Sequence, residues 1–584
     1  MKTLHLLEAF PKDFNNIKKN IISFRPCASF ELNRNGIKYK LPEDYISLNA
    51  LGKFAPEYST IFTNWLTSLD QELLKHFNIF NSLIIKPASL YGIYLQLLID
   101  SFVFAALRLN SIFKSEIPGK VILYSADLQE KTTDYQLYMK NKSINLVLLP
   151  LFSQKYNFIS EIINITNDNN TDDHYQPINL LVSIIKKVSL SLIKKYYEFS
   201  SLSNKRRSIL ILNFSRWTDE LVRSLYHSKY RLLFDYDKKV FSEVSNEKKE
   251  INTINLNLSI FDNFVGIEIS KFLEERILYF VNFICPMLEK YVKASLNYFP
   301  RNNIKAVIIP FKNDIKDFAV MAAATAAKDC LAVQVCHGAG SFDCVCWKFT
   351  ESPCNIWLTS DNEEKIYFNN NIFKDSNTSI EVMPLWRSKY KKIRSVREKR
   401  KVFANKKTVL YVPTFFRGDL YRLAASNYTD TWYYEHQIKL LKYFSSEKEF
   451  LFIWKGFPTA NHDRNPIPKN IESLSFDNIL YVEDKLIKYL LKTDFTIHDY
   501  PSTPFYESVL SGIPTLCFYH DSFYIRDTSK TYFGNILQKF SNTDQAIDSI
   551  KTFLKSNSNY FIKEDDVLTQ DDAAVLKPYI NMLS

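Results

Sequence analysis

The feature that most constrains this chain is a repeated alternation. From residue 116 onward, short apolar runs rich in β-branched residues are separated by longer amphipathic stretches. A strand that is apolar at every position has no polar face to offer water. It belongs in a sheet covered on both sides, and helix-connected strands of that kind run parallel. The expected strands are 121–124, 144–149, 209–212, 306–309, 332–335 and 356–358, then 408–412, 450–454, 479–482, 495–497 and 515–519. Helices are expected between them at 314–328, 433–444 and 505–511. The reading is an α/β chain with residues 1–115 mainly helical, a first parallel-sheet domain over 116–385, a charged linker over 386–406 and a second over 407–584. A ligand cleft is expected between the two.

Composition excludes several classes. At 584 residues the chain exceeds one compact core, and 46% hydrophobic with 23% charged residues is ordinary for a folded protein. The net charge of +11 is spread along the chain and not gathered into one basic domain, so no nucleic-acid partner is expected. The densest basic run, from Arg387 to Lys401, falls in the expected linker. Eight cysteines make no disulfide scaffold, and the first ten residues lack the pattern of a secretory signal, so a reduced, cytoplasmic setting is expected. The apolar stretch 91–107 contains Gln96 and Asp100 and reads as a buried helix, not a membrane span. Residues 179–197, with Lys186, Lys187, Lys194 and Lys195, read as an amphipathic surface helix, leaving peripheral contact with the inner face of a membrane open.

Only eleven glycines occur, and five fall within four candidate motifs: Gly338, Gly340, Gly418, Gly456 and Gly512. The most specific motif is Asp499-Tyr500-Pro501-Ser502-Thr503-Pro504-Phe505-Tyr506-Glu507, closing at Gly512-Ile513-Pro514. Ser502 or Thr503 suits a helix N-cap and Pro504 the first turn, and a helix N-terminus at the carboxyl end of a strand favours a phosphate. Glu507 lies one turn further along, within reach of a ribose diol beside that phosphate. In the second motif, His337-Gly338-Ala339-Gly340-Ser341 follows an expected strand. There a histidine is suited to take a proton near neutral pH, and the glycines admit a close substrate. The third is Tyr411-Val412-Pro413-Thr414-Phe415-Phe416-Arg417, whose guanidinium suits a diphosphate. The fourth is Trp454-Lys455-Gly456-Phe457-Pro458, where Lys455 supplies a point charge.

These motifs resemble those of GT-B glycosyltransferases, in particular the teichoic-acid glycerophosphotransferases and related capsule and surface-polysaccharide transferases. The spacing Glu507-x4-Gly512-x-Pro514 is similar to their ribose-binding helix, 499–503 to their Asp-Tyr-Ser-Ser turn, His337-Gly338 to their His-Gly motif, and 411–417 to their Tyr-Ala-Pro-Thr-x-Arg segment. The chain departs from that pattern by one extra residue after Asp499, by Phe416, and by Lys455-Gly456-Phe457 where the family carries His-Pro. The likeness covers roughly residues 300–560.

The resemblance implies two Rossmann-like domains facing a central cleft. Arg417, Lys455, Ser502, Thr503 and Glu507 would hold the nucleotide, and His337 would act as general base. Gly338, Gly340, Ser341, Asp499, Tyr500 and Gly512 would shape the turns. It also implies no cofactor beyond the activated donor, no metal, inversion at the anomeric carbon, and a carbohydrate or lipid-linked acceptor. Transfer of a polyol phosphate and a noncatalytic nucleotide- or carbohydrate-binding role remain the alternatives. No P-loop or Gly-x-Gly-x-x-Gly is present, and Cys336, His337, Cys344, Cys346 and Cys354 lack the paired spacing of a structural zinc site.

Overall fold

The computed structural model describes residues 2–11, 17, 19–126, 143–165, 177–201, 207–214, 218–227, 230–234, 249, 251, 253–312, 314–336, 354–359, 362–374, 376–383, 387–398, 406–418, 423, 428–457, 465–555, 576 and 578–579. Three sheets organise them, and every strand pairing is parallel.

The first sheet contains β1 (Thr3–Leu7), β2 (Ile21–Ser23), β3 (Lys120–Ala126) and β4 (Ile159–Ile165), in the order β2-β1-β3-β4. Between β2 and β3 the chain is helical, dominated by Leu48–His76 and Gly92–Glu116. The second sheet contains β5 (Ser208–Ile211), β6 (Arg231–Leu233), β7 (Ile304–Ile309), β8 (Leu331–Val335), β9 (Ile356–Thr359) and β10 (Ser379–Val382), ordered β10-β9-β8-β7-β5-β6. The third contains β11 (Lys407–Val412), β12 (Phe450–Lys455), β13 (Ile479–Val482), β14 (Phe495–His498), β15 (Thr515–His520) and β16 (Leu537–Phe540), ordered β13-β12-β11-β14-β15-β16. The second and third are doubly wound, Rossmann-like sheets, as expected.

The burial patterns explain the choice of strands. Strands β5, β9, β14 and β15 are buried at every position, which only a sheet covered on both faces allows. One apolar core joins the first sheet and the long helices to one face of the second sheet. Another runs from the opposite face of the second sheet into the third. The apolar helix Gly92–Glu116 lies in the first of these cores, with 83% of its most apolar window buried.

Three expectations change. The first sheet is additional: β3 pairs with β1 and β4, and not with the strands of the second sheet. Residues 144–149 form part of the helix Ile144–Tyr156, not a strand. Leu146, Leu148, Leu149 and Leu151 are strong helix formers, and only Leu148, Leu149 and Phe152 need burial. The charged segment 386–406 contains the helix Arg387–Glu398, with Tyr390 and Ile393 buried. Within it, Arg397 donates to the carbonyls of Leu490 and Thr493, at 2.6 Å each.

Candidate functional site

The third sheet's order sets the site. The chain passes from β11 outward to β12 and β13, then crosses back to place β14 on the other side of β11. Connections leaving β11 and β14 therefore diverge to opposite faces, opening a crevice at their carboxyl ends. Register fixes which residues meet there. Val412 pairs with His498, Tyr411 with Trp454, and Lys455 with Val482. The turns beginning at Pro413, Gly456 and Asp499 thus share one edge.

Asp499 holds two of these turns together. Its buried carboxylate accepts hydrogen bonds from the Tyr411 hydroxyl at 2.6 Å, the Thr414 amide at 2.8 Å and the Tyr433 hydroxyl. The Tyr428 hydroxyl donates to its carbonyl at 2.7 Å. Burial pushes the carboxyl up to about 6, against the pull of the donors. Asp499 is therefore a structural anchor beneath the crevice and not a group presented to it.

The β11 turn is pinned from its other side. Asp430 opens the helix Asp430–Ser446, and its carboxylate accepts from the amides of Arg417 at 2.8 Å and Gly418 at 2.7 Å. Gly418 has φ of +65°, a backbone state that favours glycine. The Arg417 guanidinium lies 4.9 Å from the centroid of the Phe415 ring, and Phe415 in turn packs on Phe457 at 5.1 Å. Phe457 is 50% exposed, so an aromatic wall joins the ends of β11 and β12.

At the end of β14, Ser502 takes the extended N-cap conformation of the helix Thr503–Leu510, with Pro504 in its first turn. Its side chain makes no cap hydrogen bond, which leaves the hydroxyl available beside the helix N-terminus. Tyr500 packs edge-on against Phe523. Glu507 is only 4% exposed, unlike the outward-facing glutamate of an ordinary amphipathic helix. Gly512 turns at φ of +65°, and the Arg394 side chain lies 3.1 Å from where a Cβ would sit. The basic segment preceding this domain thereby closes over the helix's far end.

Lys455 sits differently from the expectation. It is 6% exposed, and its ammonium donates to the carbonyls of Gly456 at 2.5 Å and Glu483 at 3.5 Å. Burial lowers its pKa, with Glu483 and Asp484 opposing. It braces the ends of β12 and β13 in this structure.

His337, Gly338, Gly340 and Ser341 lie outside the described residues. The strand leading to them, β8, is described to its end, and the Cys336 amide donates to Leu358 at 2.8 Å. Neighbouring contacts at this edge of the second sheet escaped the sequence reading. Asn213, at φ of +49°, donates to the Phe311 carbonyl at 2.7 Å and to Asp317 at 2.8 Å. Lys312 donates to Gln334 at 3.0 Å. Tyr433 and Asp430 were also missed. A clue to Asp430 was its place at the start of the helix following a strand-end turn.

No family model matches the chain, and no curated protein matches it. Solved structures do. One is UDP-GlcNAc 2-epimerase from Methanocaldococcus jannaschii in complex with UDP-GlcNAc and UDP, at 11% identity, covering 65% of this chain and 100% of that one, with a TM-score of 0.39. Another is MurG from Acinetobacter baumannii, at 9% identity, 60% and 91% coverage and a TM-score of 0.33. A third is an α,α-trehalose-phosphate synthase (UDP-forming) from Burkholderia xenovorans in complex with glucose-6-phosphate, at 10% identity, 65% and 96% coverage and a TM-score of 0.32. These values describe a general likeness of layout, and no residue role in this chain follows from them.

Proposed function

We propose that this chain is a glycosyltransferase that moves a sugar from a nucleotide-activated donor to a carbohydrate or lipid-linked acceptor of a surface glycan. The observation that carries this reading is the crevice at the strand-order reversal of the third sheet. It brings the Arg417 turn beside the helix N-terminus at Ser502 and Thr503. Backbone amides and the helix dipole favour phosphate there, and a guanidinium adds paired donors. Glu507 fixes the ribose, while Lys455 contributes by bracing the neighbouring strand ends. His337 removes the acceptor proton as its hydroxyl attacks the anomeric carbon. Dipoles and cations stabilise the departing phosphate, so the chemistry proceeds without metal and with inversion.

Donor screening tests the reading. A thermal-shift series with UDP, GDP, CMP, CDP and TDP identifies the nucleotide, because a ligand bound to the folded state raises its stability. Turnover of the matching nucleotide sugar is then expected. Turnover of a CDP-polyol in its place refutes sugar transfer. Binding without any transfer or hydrolysis refutes catalysis.

A further inference from the structure

The strand ends that frame the donor crevice also present an aromatic stack. Tyr411 and Trp454 are register partners, so β11 and β12 leave the third sheet side by side. Phe415 and Phe457 follow a few residues later, and their rings meet at 5.1 Å with an interplanar angle of 31°. Phe415 also carries the Arg417 guanidinium at 4.9 Å from its centroid. The chain treats the neighbouring ring differently. Phe416 is 3% exposed and packs on Tyr433 in the core below, whereas Phe457 remains 50% exposed. Contact between an aromatic face and water is unfavourable, and Phe457 keeps that contact beside a ligand crevice. Among the described residues of this domain, the other large apolar side chains in water are Leu474, Leu480 and Tyr524. They lie at the end of the helix Ile467–Leu474, within β13 and beyond β15, all outside the β11–β12 edge.

Position along that edge points to the ligand group. The sheet order β12-β11-β14 sets the Phe457 turn on one side of the Arg417 turn and the helix N-terminus at Ser502 and Thr503 on the other. Two strand spacings separate those ends, about 10 Å, a span comparable with that from diphosphate to base in a nucleotide. An exposed phenylalanine face accepts the π face of a base or the apolar face of a sugar ring. The proposed reaction distinguishes them. The transferred sugar has to meet the acceptor beside His337, which follows β8 of the second sheet, so it projects away from the third sheet. The nucleoside stays where the phosphate is held. We infer that Phe457, propped on Phe415, is the stacking surface for the base of the donor nucleotide. The inference rests on the nucleotide-sugar reading and adds to it the side chain that grips the nucleoside. Stacking is tolerant, because every base has a π face, so this contact supplies affinity without choosing the base.

Titration calorimetry of the full chain tests it with two probes. One is whichever of UDP, GDP, CDP and TDP gives the largest thermal shift. The other is inorganic pyrophosphate, measured by competition against that nucleotide. Phe457→Leu keeps an apolar side chain at an exposed position, so circular dichroism should be unchanged. Its affinity for the nucleotide should fall about 5- to 100-fold, the scale on which one stacked base contributes. Its affinity for pyrophosphate, which has no base, should be unchanged. Phe457→Trp should bind the nucleotide as wild type does, because the larger ring preserves the stacking face. Nucleotide affinity that Phe457→Leu leaves intact overturns the inference. So does an equal loss for both probes, which would make the ring a support for Arg417, and so does Phe457→Trp binding as weakly as Phe457→Leu. Wild type that binds none of the four nucleotides overturns the nucleotide-sugar reading itself, and this inference with it.

Discussion

At the scale of single residues, the structure separates groups that hold the site from groups that serve it. Asp499 belongs to the first kind, with three donors on its buried carboxylate. Its pKa is raised from 3.8 to about 6 by burial, so the folded state binds its proton more tightly than the unfolded state. The stabilisation this gives is full below pH 4 and is lost as pH rises through 6. His436 and His498, lowered to about 3 by burial, act in the opposite direction over much of the same range. A difference measurement isolates the carboxyl. Between pH 4 and pH 6, wild-type stability relative to Asp499→Asn should fall by about 2 kcal/mol in urea titrations. A difference that grows with pH contradicts the assignment. His337 is proposed as a group that serves the site. His337→Ala should lower kcat by about 10²–10⁴ with donor affinity little changed, and His337→Asn should be equally slow. Recovery of most of the rate by Asn would make it a turn residue.

At the scale of elements, legibility in the sequence followed burial. Strands β5, β7, β8, β9, β11, β12, β14 and β15 were readable because each is a mostly buried or β-branched run inside a sheet, while the edge strand β13 was readable from its Ile479-Leu480-Tyr481-Val482 composition and not from burial. The missed strands β6, β10 and β16 lie at sheet edges, where partial exposure dilutes the apolar signal. β1 was missed because Leu4, Leu6 and Leu7 favour helix as readily as strand. Gly418 and Gly512 were legible as backbone requirements, but the reason at Gly456 was not. A Cβ there would lie 2.1 Å from the Tyr481 hydroxyl, which donates to Glu483 at 2.9 Å. Gly456→Ala should therefore cost about 1–3 kcal/mol, measured by chemical denaturation. Adding Tyr481→Ala should recover part of that loss, because the two changes share one clash. Strict additivity would contradict the packing.

At the scale of the whole molecule, the N-terminal helices support the third sheet's crevice from behind. Asp100, on Gly92–Glu116, accepts from the Leu423 amide at 2.9 Å, beyond the β11 turn. Glu43 accepts from Thr431 at 2.8 Å and pairs with Arg108 at 3.4 Å, with side chains 5% and 11% exposed. Arg108→Met leaves a buried carboxylate without its cation and should cost about 3–5 kcal/mol, read as a lowered denaturation midpoint. Glu43→Gln added to it should restore most of the loss, and a further loss would contradict the pairing. No periodicity could reveal the contacts to Leu423 and Thr431, since each joins residues more than 300 positions apart. The central claim is that the crevice between the ends of β11 and β14 binds the donor nucleotide. Calorimetric titration of wild type and Arg417→Ala with the nucleotide chosen by thermal shift tests it most directly. The account predicts one site per chain and an affinity at least about tenfold weaker in the variant. Equal affinity in a folded Arg417→Ala protein, or no heat of binding from any nucleoside diphosphate or CMP, would contradict it.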